Sequence, residues 1–146
     1  MDPIDKQILQ LLGKDARQGC DIIAKGLHLS PSTVRRRIRK LTQSGVLQIV
    51  PTVDPDSYGL PLMAIVAFDI AMDKIDLALQ QLAARPEVRW LSTTTGEFDL
   101  LALTRFRSTE EFSEFLEKEL VHIEGIKDTK TFICLNVKKG KYMQVI

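Results

Sequence analysis

Five of the six residues from Arg35 to Lys40 are cationic, and the sixth is Ile38. An isolated helix gains nothing from such a run, because like charges at i and i+4 repel by about 0.2–0.5 kcal/mol. A polyanion reverses that sign. Guanidinium groups fork onto guanine edges in the DNA major groove, and Lys or Arg neutralise phosphates. Projected at about 100° per residue, a helix here keeps Ile38 and Leu41 within about 40° of Val34. Ser32, Arg36, Arg39 and Gln43 fall opposite, Arg35 and Lys40 flank them, and Arg37 lies nearer the apolar boundary. The N-terminal residues of a recognition helix reach base edges. Ser32, Thr33 and Arg36 are therefore the candidates for bases, and Arg35, Arg39 and Lys40 for phosphates, with Arg37 a weaker one. The competing reading is a basic face that is merely solvated.

Little else in the chain suggests reaction chemistry. Cys20 and Cys134 are far apart, with no CxxC and no metal-ligand spacing to His28 or His122. No metal and no cofactor are expected. Two free thiols fit a reducing compartment. No apolar run approaches the ~20 residues a bilayer requires, and Met1 to Lys14 lacks a secretory pattern. The expectation is a cytoplasmic protein without a membrane partner. No nucleophile cluster or phosphate loop appears, so an enzyme is not expected. The formal charge of +1 hides an asymmetry. Residues 1–50 carry nine Lys/Arg against four Asp/Glu, and residues 51–146 carry eleven against fifteen. One end is built to meet a polyanion and the other is not.

The elements that must hold the basic run are readable around it. Asp2-Pro3 is a helix start, followed by the stripe Ile4, Ile8, Leu11 and Leu12. A short helix is read from Asp21 to Gly26, and Ser30-Pro31 opens a third that runs to Gln43 and stops at Gly45. Val46 to Val53 reads as an extended wing and linker strand, and Asp54-Pro55-Asp56-Ser57 as the boundary turn. Beyond Pro61 the expectation is a strand over 62–71, a helix over 75–85 and strands over 88–95 and 98–106. A capped helix from Ser108 and a last strand over 127–138 complete the series. The order β-α-β-β-α-β is the ferredoxin-like arrangement. The fold class is thus α+β: a winged helix-turn-helix over 1–50, a linker over 51–61 and a ferredoxin-like domain over 62–146. Two domains this small each bury a marginal core, which favours oligomers.

At this level the sequence resembles the Lrp/AsnC family of feast/famine regulators. The likeness rests on Asp2 and Asp5 before Ile8-Leu9, on Ile23-Ala24-Lys25, and on the run Leu29 to Arg37. It continues in Gly45-Val46-Leu47, Asp54-Pro55, Thr95 to Leu101, Gly125-Ile126 and Thr129-Lys130-Thr131. The resemblance implies a regulator of double-stranded DNA that dimerises through its C-terminal domains and stacks into octamers. It also implies a small effector, an amino acid or similar, bound between neighbouring subunits. The effector loop maps onto Thr95, Gly96, Glu97 and Asp99. A Thr-Gly turn can offer backbone N–H groups to a carboxylate, and Asp99 can accept from an ammonium; Asp99 as a turn-stabilising residue is the alternative. Glu97 either favours a cationic effector or faces solvent. The family usually has Gly where this chain has His28, which calls for a left-handed residue there. The tail Lys138 to Lys141 reads as a solvated end or a second DNA contact.

Two rival functions share this layout. One is a sirohaem-decarboxylase-like enzyme, which resembles a His/Tyr-bearing stretch that here, from Trp90 to Leu103, contains neither residue. The other is a sensor or assembly module without DNA binding, which the basic run argues against.

Overall fold

The structure is a computed structural model and describes residues 1–144. The last two positions of the expected 62–146 domain lie outside them. The chain divides into two compact units, Met1–Pro51 and a second that begins at Thr52.

The first unit has three helices, α1 (Pro3–Lys14), α2 (Cys20–Leu27) and α3 (Pro31–Gln43). The α1 start is a capping box: Asp5 N–H donates to Asp2 Oδ1 at 2.8 Å, and Asp2 N–H donates to the Asp5 carboxylate at 3.4 Å. The turn after α2 passes through His28 at φ 55° and ψ 42°, the left-handed residue the resemblance requires. Ile8, Leu12, Ile23, Ala24 and Val34 form the core, with Ile4, Leu11, Ile38 and Leu47 packed against it.

Arg37 is an exception among the five cations. Its Nη1 donates to Asp2 Oδ2 at 2.5 Å and to Asp5 Oδ1 at 2.7 Å. The guanidinium ties the N-terminus of α1 to the middle of α3, across more than thirty positions of sequence. The Asp5 backbone N–H, and then Arg37, hold the Asp2 carboxyl below the usual carboxylate range.

The wing differs from expectation. Val46 to Pro51 forms no ladder, and only β1 (Thr52–Val53) is a strand, in the second unit. Strand propensity alone does not make a strand; a partner is needed. Leu47 instead packs on the helical core, and its N–H donates to Leu41 O at 3.1 Å. Thr52 and Val53 pair with β6 (Met143–Gln144).

The second unit is a four-stranded antiparallel sheet in the order β3-β4-β2-β5. Its strands are β2 (Leu62–Ile70), β3 (Val88–Thr93), β4 (Leu100–Phe106) and β5 (Ile126–Ile133). Helix α4 (Ile75–Ala83) connects β2 to β3, and α5 (Thr109–Glu114) continues through a wide turn and a tight one to His122. This is the expected ferredoxin-like order. Ala64, Val66, Phe68, Leu100, Ala102 and Phe106 face α4 and α5 and meet Ala78, Leu82, Phe112 and Phe115. Strand β5 stops at Ile133, five residues short of the expected end. Cys134 N–H donates to Met63 O at 2.8 Å, and β2 begins only at Leu62, after Pro61, which has no N–H to donate. Past that point β5 has no strand to pair with among the described residues, and Leu135 stands 94% exposed. Lys141 of the tail is not free: its Nζ sits 3.0 Å from Asp54 Oδ1 and 2.7 Å from Asp56 Oδ2.

Two measurements test this packing. Arg37→Ala lowers the melting temperature of the helical unit. Asp2 has a depressed folded pKa, so its stabilisation is present above the ordinary carboxylate range and fades as pH falls through the folded value. Removing Arg37 weakens that acid dependence, and thermal melts by circular dichroism at neutral and acid pH read it. Phe106 is fully buried, 5.1 Å from the Phe112 ring and 5.3 Å from the Phe115 ring. Phe106→Ala costs about 3–5 kcal/mol in urea unfolding.

Candidate nucleic-acid interface and effector loop

Helix α3 begins at a cluster of hydroxyls. Ser30 Oγ accepts the Thr33 N–H at 3.2 Å and lies 3.0 Å from Ser32 Oγ and 2.8 Å from Thr33 Oγ1. The cap leaves Ser32 exposed and Thr33 half-buried at the first turn. In helix-turn-helix proteins this is the end of the second helix that enters the groove, and a helix dipole is positive there. Val34 and Leu41 are buried, whereas Arg35, Arg36, Arg39 and Lys40 are exposed. None of these four has an ion-pair partner among the described residues, while Arg37 has two. The fold thus sorts the basic run: four cations face water and one is spent internally. Asp2 was visible as a helix-start residue and Asp5 as part of the family likeness; that both would meet Arg37 was not.

The loop between β3 and β4 carries the second candidate site. Gly96 has φ 118°, a conformation that favours glycine. Asp99 Oδ2 accepts the Ile70 N–H at 2.8 Å, where pairing of β2 with β5 shifts register. Asp99 N–H donates to Phe68 O at 2.9 Å, and Thr94 N–H donates to Asp99 O at 2.9 Å. Thr94 Oγ1 donates to Phe98 O at 2.6 Å. Asp99 therefore closes the loop and anchors it to the end of β2, as the turn-stabilising alternative has it. Its Oδ1 accepts no hydrogen bond among the described residues.

Beside the loop lies an open depression of about 620 Å³ lined by Thr93, Thr94, Thr95, Glu97, Phe98 and Leu101. Of the four expected loop residues, Thr95 and Glu97 reach it; Gly96 and Asp99 shape the backbone that frames it. Thr93, Thr94, Phe98 and Leu101 are additions. Leu101 and Leu103 share one sheet face at a spacing of two, which was a readable signal; the inward turn of Phe98 was not. Glu97 Oε1 lies 3.4 Å from Lys130 Nζ, with both side chains more than half exposed. Such a pair is worth little in water. Lys130 Nζ also sits 5.3 Å from the centre of the Phe98 ring.

No described helix is long and apolar enough to cross a membrane. No group of three or more metal-ligating side chains occurs among the described residues.

Comparison with known proteins agrees with both halves of this description. Residues 63–143 match the model of the Lrp/AsnC ligand-binding domain, and residues 1–48 that of a winged helix-turn-helix DNA-binding domain. An HTH-type transcriptional regulator of Pyrococcus furiosus is 35% identical over 146 residues, 99% of each chain. AsnC of Escherichia coli is 26% identical with a TM-score of 0.89, over 100% of this chain and 97% of that one. A transcriptional regulator of Neisseria meningitidis, solved as a complex with L-Met, is 28% identical with a TM-score of 0.88. It matches 97% of this chain and 94% of its own. The exposed cationic recognition helix and the sheet domain with its β3–β4 loop are thus parts of one known plan, and the chain belongs to the Lrp/AsnC family of DNA-binding transcriptional regulators.

Proposed function

We propose that this regulator binds DNA as a homodimer through α3 and that a small amino acid, held beside the β3–β4 loop, adjusts that binding. The carrying observation is the outer face of α3, where Arg35, Arg36, Arg39 and Lys40 are exposed and without acidic partners among the described residues. On this reading Ser32, Thr33 and Arg36 meet base edges, while Arg35, Arg39 and Lys40 meet phosphates. Two copies read a near-palindrome with half-sites about one helical turn apart, or a multiple of that.

The dimer uses the face of the sheet that α4 and α5 leave bare. Trp90 and Phe132 are about half exposed there, on the same face as Ile65 and Leu103. Exposed aromatic residues on an uncovered sheet suit a second copy. Dimers assemble further, up to an octamer. The amino-acid effector is favoured by the L-Met bound to the Neisseria relative and by Thr95 and Glu97 at the depression. Effector binding between dimers shifts oligomer number or orientation, a coupling of about 1–3 kcal/mol. Trp90 to Leu103 has no His or Tyr for acid–base work, which favours a regulator over a decarboxylase. The working compartment is the cytoplasm.

Selection of bound duplexes from a randomised library enriches a two-fold motif. Arg36→Ala then costs about 1–3 kcal/mol and relaxes one base position, while Lys40→Ala weakens all sequences alike and lowers the salt slope by about 1. A library that yields no enriched motif overturns the sequence-specific reading. Light scattering with each L-amino acid in turn reveals a change in oligomer size. If size and DNA affinity both stay constant at saturation, the sensor role is lost.

A further inference from the structure

Away from the loop, β4, β3 and the residue just before β3 bring together three charged side chains that have no ion-pair partner among the described residues. Arg105 is only 3% exposed, a buried cation in the second unit. Its Nη2 donates to Lys141 O at 3.1 Å, its Nε has no partner, and no carboxylate among the described residues lies within 4 Å of it. Burial pulls its pKa down, against weaker support from Asp56. Arg89 Nε and Glu87 Oε2 are likewise buried without hydrogen-bond partners. A buried charge without a counter-ion is costly, and a native structure keeps few buried polar atoms unsatisfied.

These residues share walls. A cavity of about 260 Å³ is lined by Glu87, Arg89 and Arg105, together with Tyr58, Arg107 and Glu111. A second of about 200 Å³ again has Arg89 and Arg105 in its wall. In the wall of the first cavity Arg107 is paired with Glu111, while Lys141, Asp54 and Asp56 lie outside that wall and together carry a charge of −1. Within that wall two guanidinium groups, Arg89 and Arg105, then stand against one carboxylate, Glu87, a local charge of +1. That balance suits a monoanion and disfavours a dianion. Arginine forks onto carboxylates in bidentate geometry, and Glu87 can only accept, so it asks for a donor on the same molecule. The volume is just below the ~300–1,000 Å³ of pockets for drug-sized ligands, which fits a small metabolite.

We propose that Glu87, Arg89 and Arg105 form a second ligand site, separate from the β3–β4 loop, for a small monocarboxylate bearing an adjacent hydroxyl or ammonium group. The carboxylate lies against Arg89 and Arg105, and its neighbouring O–H or N–H donates to Glu87. The loop depression shares none of its lining residues with the two cavities described here, so occupancy here does not depend on the effector reading.

Trp90 is the sole tryptophan and follows Arg89 in β3, so its fluorescence reports on the site. The full chain is titrated with L-alanine, L-lactate, acetate and inorganic phosphate at fixed protein concentration. Saturable binding of L-alanine or L-lactate is expected, with acetate weaker and phosphate weakest; which of the first two is tighter says whether the donor is ammonium or hydroxyl. Glu87→Gln, which preserves volume and fold, and Arg89→Gln each weaken the better ligand about tenfold or more. The proposal falls if none of the four probes saturates, if either variant leaves affinity unchanged, or if acetate and phosphate match the other two. It also falls if the variants change only dimer dissociation, since the missing counter-ion then comes from a second copy.

Discussion

Alternate residues of β2 and β4 enter the layer beneath α4 and α5, and their neighbours are left on the opposite face. Ala64, Val66 and Phe68 sit in the core, and Met63, Ile65 and Ala67 do not share it. The strict period of two allows no compromise, because a shift of one residue would exchange the two faces. With helices on one side only, the other side presents Trp90, Leu103 and Phe132 to whatever approaches. The same register puts Arg105 on that face, opposite Met63, and sets its buried guanidinium among the cavities at the β1–β6 end.

The helical unit is organised by a different kind of contact. Its core is small, and one arginine supplements it by reaching from α3 to the first turn of α1. The two acceptors, Asp2 and Asp5, already cap α1. One pair of carboxylates thus ends a helix and fixes a neighbour. The geometry also explains why a run of five cations on one short helix is tolerated: the member closest to the core has found counter-charges, and the other four lie in water, where screening is strong.

The loop after β3 illustrates how a binding surface is set by backbone needs. Asp99 satisfies an N–H at the point where β2 and β5 lose register, and Gly96 supplies the left-handed turn. These two make the frame, and Thr95 and Glu97 occupy the depression it creates. Residues that resemble a ligand-binding motif therefore divide into those that hold the loop and those that face its outside. Spacing along the chain does not separate the two groups, because both sit within five residues of each other.

Local chemistry by itself determined the caps at Asp2, Ser30 and Ser108, the limits of α1 and α3 and the order of strands and helices. Each depends on interactions within about one helical turn or on a hydrophobic period, both of which are written in consecutive residues. The outer face of α3 was equally legible, since it follows from the angle between positions. Tertiary structure decided what depends on partners far away in sequence. Val46 to Pro51 has the composition of a strand but pairs with none among the described residues, and β5 ends beside the start of β2. Arg37 and Arg105 look alike on paper; one meets two aspartates and the other lies buried without a counter-ion among the described residues, because only the folded chain sets which charges come within reach.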